Sequence, residues 1–139
     1  MKKFLFALLS ICVAATVSAQ NSDLLTDLHE LRWEYRILVV NEPEAPQELI
    51  VRLQDNAEAL NERRLAWFMI SGNELRSNYV GPVANELRNN ILLRLDPAVN
   101  DVILMGLDGG VKARGDEIDL EALYGTIDAM PMRRSELRK

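Results

Sequence analysis

Taken by the spacing of its apolar positions, the chain divides into an ordered series of short elements. From Asp23 to about Leu31, residues Leu24, Leu25, Leu28 and Leu31 recur at helical spacing, and Ser22 stands where it can cap that helix. Tyr35 to Val40 (YRILVV) is a nearly unbroken aliphatic and β-branched run, the composition of a strand buried on both faces. Asn41 to Pro46 reads as a loop, with Pro46 suited to a first helical turn. A helix over 46–62 follows, with Leu49, Ile50, Leu53, Ala57 and Leu60 on one face. Leu65 to Ile70 (LAWFMI) is a second buried strand, and 71–81 is a polar loop. A helix near 82–95 brings Val83, Ala84, Leu87, Ile91 and Leu95 into phase and ends at Asp96-Pro97. Two short strands, 101–107 and 111–114, flank Asp108-Gly109-Gly110, a hairpin signal because a tight primed turn needs positive φ. Asp119 can cap a last helix over 120–130, with Leu120, Leu123, Tyr124, Ile127 and Met130 on one face and Pro131 as its stop.

The resulting order is a short N-terminal helix followed by βαβαββα. That is the order of the thioredoxin core. It predicts an α/β fold with a four-stranded mixed sheet in the order 2-1-3-4, the third strand antiparallel to the rest, and helices on both faces. Right-handed crossover sets the hand of the βαβ unit.

The segment ahead of these elements has a different pattern. Lys2 and Lys3 precede an apolar stretch from Phe4 to Val17, and Val17-Ser18-Ala19 places small or modest side chains at a cleavage site. This predicts a signal peptide over 1–19 and one domain over 20–139. The apolar stretch falls short of the about 20 residues that span a bilayer, and no second one follows, so no transmembrane segment is expected in the processed chain. The expected destination is a Gram-negative periplasm, with secretion as the alternative.

Processing also alters the composition. The single cysteine, Cys12, leaves with the first 19 of 139 residues, so the remaining 120 contain no thiol. Thiol–disulfide exchange and cysteine peroxidase chemistry are thereby excluded for the processed protein. Loss of Lys2 and Lys3 leaves 14 cationic side chains against 21 carboxylates and moves the formal charge from −5 to −7. An acidic chain of this kind lacks the basic stripe that a nucleic-acid partner requires.

Other chemistry is sparse. His29 is the one histidine and sits beside Glu30, read as a surface or packing residue. Asp116-Glu117-Ile118-Asp119 places negative charge at a helix N-terminus, and no calcium-loop spacing occurs, so neither a metal nor a cofactor is expected. No P-loop, dinucleotide fingerprint or nucleophile elbow is present. Of Trp67 and Phe68, at least one belongs to the core by strand alternation. In the C-terminal run, Arg133 and Arg134 follow a helix end, where cations are favoured, and Asp128 is placed to pair with one of them.

The hairpin Gly106-Leu107-Asp108-Gly109-Gly110-Val111-Lys112, Arg114, and the run Asp128-Ala129-Met130-Pro131-Met132-Arg133 resemble the P-DUDES family. This is a peroxiredoxin-like domain of unknown function, shared by exported bacterial proteins and by vertebrate extracellular matrix proteins with sushi repeats or coiled-coil regions. The strands beginning at Arg32-Trp33 and Arg63-Arg64 are also similar to its first two strands, and the likeness spans about residues 29–135. The family commonly has a lysine before the turn Asp, where this chain has Leu107. The resemblance implies a thioredoxin-like fold and no particular activity.

Topology adds an expectation. The Asp108 turn and the Pro131 segment should meet at the pole of the sheet far from the usual thioredoxin active site. Asp108, Asp128, Met130, Met132, Arg133 and Arg134 then form a candidate interaction patch. The expected function is a non-catalytic module that binds an extracytoplasmic protein or ligand. The alternative is a cysteine-independent enzyme or small-ligand binder that uses carboxylates and arginines.

Overall fold

The structure, a computed structural model, describes residues 23–139; Ser22, Cys12 and the segment expected to be a signal peptide lie outside the described residues. A single 3₁₀ turn, Leu28–Leu31, leads into β1 (Arg36–Asn41), α1 (Pro46–Asp55), α2 (Ala57–Glu62), β2 (Leu65–Ser71) and β3 (Glu74–Ser77). α3 (Leu87–Leu95), β4 (Val102–Met105), β5 (Val111–Gly115), α4 (Leu120–Asp128) and α5 (Pro131–Leu137) follow.

The sheet has five strands in the order β3-β2-β1-β4-β5. β1 and β2 are parallel, with Leu38 opposite Trp67, while β4 runs antiparallel to both β1 and β5. The four expected strands keep their order and directions. The extra strand is β3, which folds back on β2 as an antiparallel hairpin through Gly72, whose φ is +56°. The segment read as a polar loop therefore contains an edge strand. Its short polar sequence, Glu-Leu-Arg-Ser, buries too little to announce a strand. The molecule is a mixed α/β fold compatible with the thioredoxin order.

Strand alternation sorts the core into two layers. Ile37, Val39, Phe68, Ile70 and Ile103 face the 3₁₀ turn and α3, where Leu28, Leu31, Leu87, Ile91 and Leu95 complete one cluster. Leu38, Val40, Trp67, Met69 and Leu104 face α1, α2 and α4, where Ile50, Leu53, Leu60, Leu120 and Ile127 complete the other. Both Trp67 and Phe68 are thus core residues, one on each face.

Four helical expectations are corrected. The helix over 23–31 is only the 3₁₀ turn: Asp27, not Ser22, caps it, in a reciprocal box with Glu30. Leu25 instead bridges Val83 in extended form, with Leu25 N–H donating to Pro82 O (2.9 Å) and Ala84 N–H donating to Leu25 O (3.0 Å). That pairing also holds Val83 and Ala84 out of α3, which starts at Leu87 rather than near 82. The helix over 46–62 breaks at Asn56, whose side-chain amide donates to Arg52 O at 2.8 Å and competes with the helical ladder. Finally, α4 ends at Asp128, and Pro131 does not stop a helix but opens α5 at a position where its missing N–H costs nothing.

Candidate functional site

β1 and β2 start at one pole of the sheet, and the antiparallel β4 ends there, so the loop from Gly106 to Gly110 lies at that pole. α4 returns to the same pole and hands the chain to α5. The loop is closed by Gly106 N–H donating to Gly110 O (2.9 Å), Gly109 N–H to Gly106 O (3.0 Å) and Gly110 N–H to the Asp108 carboxylate (2.9 Å). It is longer than the expected tight primed turn, and a single glycine, Gly109, takes the positive φ of +81°. Gly109 is required twice over: a Cβ there would also lie 2.8 Å from Arg32 Cδ. Trp33, itself at φ +69°, donates its N–H to Leu107 O at 2.7 Å and ties the entry to β1 onto the loop.

Loop and helix meet around a cavity of about 260 Å³. Leu107, Met130, Pro131 and Met132 supply apolar walls, Asp108 and Lys112 lie at its polar side, and the buried Arg36 completes it. Lys112 Nζ lies 2.9 Å from Asp108, and that bond, helped by the Gly110 N–H, holds the Asp108 carboxyl below the usual range. Lys112 thus supplies the cation beside the turn that Leu107 does not.

Behind the cavity is a network of four arginines and three carboxylates. Arg63 grips Asp128 with two bonds, 3.1 and 2.8 Å, and stacks 4.3 Å from the ring centre of Tyr124. Arg133 reaches Asp128 (3.1 Å), Glu62 (2.7 Å) and Glu136 (3.3 Å). Glu136 also takes Arg64, and takes Arg36 at 3.4 Å. Hydrogen bonds from Arg63, and then Arg133, outweigh desolvation and hold Asp128 below the ordinary carboxylate range. Burial pushes the Glu136 carboxyl up, but the bonds from Arg64, Arg36 and Arg133 outweigh it and leave it lowered. Both acids stay ionised, which the buried guanidiniums require. Arg36 is completely buried, yet its Nε–H meets no acceptor among the described residues. A buried donor left in that state costs about 1–3 kcal/mol.

The structure therefore brings the predicted patch together but divides its members. Asp108, Met130 and Met132 line the cavity. Asp128 and Arg133 lie in the network behind it; Arg133 is only 4% exposed, so it faces inward and offers no outer contact. Arg134 stands exposed on α5. Sequence reasoning missed Arg36, Lys112 and Glu136. Arg36 did leave a signal: a charged residue inside a run read as buried on both faces must find a partner.

At the opposite pole, Asn41 donates its side-chain amide to Pro97 O (3.2 Å) and Ala98 O (3.0 Å), and Glu42 accepts from Gly72 N–H (2.7 Å). A groove of about 390 Å³ beside this loop carries Glu44, Glu48, Arg52, Asp116 and Glu117. Asp119 caps α4 by accepting from Ala122 N–H at 3.1 Å. Among the described residues no group of His, Cys, Asp and Glu is arranged to hold a metal ion, and no helix is long and apolar enough to cross a membrane. His29 packs against the hairpin, its Nδ1 lying 3.1 Å from where a Gly109 Cβ would stand.

Comparison with curated proteins and with solved structures gives no match. A family described as Domain of unknown function (DUF4174) matches residues 27–136, which take in both strands of the hairpin, the cavity and every arginine and carboxylate of the network. The chain belongs to that family.

Proposed function

We propose that this protein is an exported, non-catalytic, thioredoxin-like binding module of the P-DUDES kind, and that it engages an extracytoplasmic partner at the hairpin pole. The observation that carries this reading is the shared cavity, in which the Asp108 turn and the Met130–Met132 segment form one apolar depression against a buried arginine. The pattern of residues 1–19 supports export to the periplasm, or secretion, and the absence of a thiol beyond Cys12 supports a role without redox chemistry.

The test compares capture of partners from a periplasmic extract by the parent protein and by a Met132→Glu/Arg134→Glu variant. Both positions are exposed, so the fold should tolerate them, whereas Arg133→Ala would disturb the buried network. The reading expects a captured partner to be lost with the variant. Equal recovery contradicts it.

One observation favours a second reading. The groove beside Asn41–Pro46 brings four carboxylates and Arg52 together, as a cysteine-independent enzyme or small-ligand binder would need. Under that reading a Glu44→Gln/Glu117→Gln variant loses ligand while the Met132 variant keeps it.

A further inference from the structure

The chain is acidic, but its charge is divided unevenly over the molecule. Residues 28–36, 61–65, 106–112 and 128–139 assemble the hairpin pole. They hold nine of the 14 cationic side chains that follow residue 19, and six of the 21 carboxylates. The rest of the chain beyond residue 19 holds five cations and 15 carboxylates. The pole is therefore positive by 3 and the remaining body negative by 10. Within the pole, Glu62, Asp108, Asp128 and Glu136 are each paired with an arginine or lysine. Glu30 is held by Thr26 and the Asp27 N–H, and Glu34 alone stands without a cation or donor among the described residues. On the other side of the balance, Arg32, Arg134, Arg138 and Lys139 are exposed and meet no carboxylate among the described residues.

The same pole exposes apolar side chains. Trp33 is 58% exposed, Leu137 57% and Met132 42%. Trp33 also has a φ of +69°, which a bulky residue rarely adopts. Its N–H donates to Leu107 O at 2.7 Å and its C=O accepts from Arg64 Nη1 at 3.3 Å, so the backbone is fixed from both sides while the indole is left in water. These partners tie Trp33 to α5. Arg64 pairs with Glu136, the residue before Leu137, and Leu107 lines the hairpin-pole cavity together with Met132. The unpaired cations frame the group: Arg32 precedes Trp33, and Arg134 and Arg138 flank Met132 and Leu137 on α5.

We infer that the hairpin pole docks onto the surface of an anionic phospholipid bilayer. The Trp33 indole enters at headgroup level, where an amphipathic ring is favoured, with Met132 and Leu137 beside it. Arg32, Arg134, Arg138 and Lys139 meet the lipid phosphates, and each such cation strengthens attachment about fivefold. The acidic body is repelled by the same surface, so the charge division turns the pole toward the bilayer. A lipid surface fits these residues better than an acidic protein does. The four cations stand on long side chains that no carboxylate fixes, and a fluid layer of anions meets them wherever they lie. A protein would have to set carboxylates in matching register. The inference goes beyond the binding-module reading and rests on it only in taking the hairpin pole as the working surface.

The test is vesicle binding by protein purified after export, its mass confirming the loss of residues 1–19. The probes are vesicles of phosphatidylethanolamine and phosphatidylglycerol, with and without brominated acyl chains, and vesicles of phosphatidylcholine alone. The readouts are co-sedimentation and tryptophan emission. Trp67 is buried at 4% exposure, so a change toward an apolar environment reports Trp33. The anionic vesicles should bind the protein, shift the emission to the blue and quench it when brominated. Phosphatidylcholine should bind at least about tenfold more weakly, and about 0.5 M NaCl should release the protein. Trp33→Ala and Arg134→Glu/Arg138→Glu should each weaken binding about tenfold or more, the second with an unchanged unfolding midpoint. Leu93→Ala, which trims an 83% exposed side chain on α3, should leave binding unchanged. No binding up to about 1 mM lipid, equal binding to neutral vesicles, full binding by the charge-reversed variant, or binding without a Trp33 signal would each overturn the inference. If vesicles are not bound while Met132→Glu/Arg134→Glu still loses a captured partner, the module reading stands and bilayer docking falls. If vesicles are bound as expected while that variant recovers partners as the parent does, docking stands and the module reading falls.

Discussion

Glu136→Ala should lower stability by about 3 kcal/mol, as read from the urea midpoint at neutral pH. Glu136 is an unremarkable glutamate in a short C-terminal helix by sequence, and a surface substitution there would ordinarily cost within about 0.5 kcal/mol. Among the described residues it is the only carboxylate partner of Arg36, a side chain about 1% exposed, through bonds of 3.4 Å from both terminal nitrogens. Removing one partner of a fully buried pair costs about 3–5 kcal/mol, because the other charge is left desolvated. The figure is set at the lower end because Glu136 keeps 24% exposure and Arg36 retains the Arg63 carbonyl at 2.9 Å. Glu136→Gln, which keeps one acceptor oxygen for these guanidinium donors, should lose less than Glu136→Ala. Glu62→Ala is the internal control: its side chain is 59% exposed, so the same chemistry should cost less than about 1 kcal/mol. A Glu136→Ala loss no larger than that of Glu62→Ala would show that the network does not pin α5 to the sheet.

Phe68→Ala and Trp67→Ala should each cost about 3–5 kcal/mol in the same measurement. The two are sequence neighbours on β2, so they point to opposite faces. Phe68 is fully buried in the layer under α3, where Tyr79 lies 6.4 Å from its ring centre. Trp67 is buried in the layer under α1, α2 and α4. Similar large losses at adjacent positions require a sheet covered on both sides. A sheet with one wet face would show a severe loss at one position and a mild one at the other.

What could be seen in the sequence follows from where each element's stability originates. β1 and β2 were legible because a strand buried on both faces is a continuous aliphatic run, and the β4–β5 hairpin because its turn needs glycine. The elements misread are those decided by side-chain hydrogen bonds or by neighbours distant in sequence. Asn56 breaks a helix whose apolar phase continues through it. Val83 and Ala84 have helical spacing but are held extended by Leu25. Pro131 reads equally well as a stop and as a first turn, and the choice falls to Arg133, which anchors α5 to Glu62 and Asp128. The site divides in the same way. The turn and the Met130–Met132 segment could be placed at one pole from topology. The pairing of Arg36 with Glu136 joins residues 100 positions apart and exists only once the fold has assembled them.

The central claim is that the working surface of this domain lies at the hairpin pole rather than at the end of β1 where thioredoxin chemistry is usually found. The most direct measurement is amide hydrogen exchange on the protein alone and in complex with its captured partner. The account predicts new protection over residues 106–115 and 130–137, with residues 43–48 and 116–119 unchanged. Protection confined to 43–48 and 116–119 would contradict it and return the function to the acidic groove.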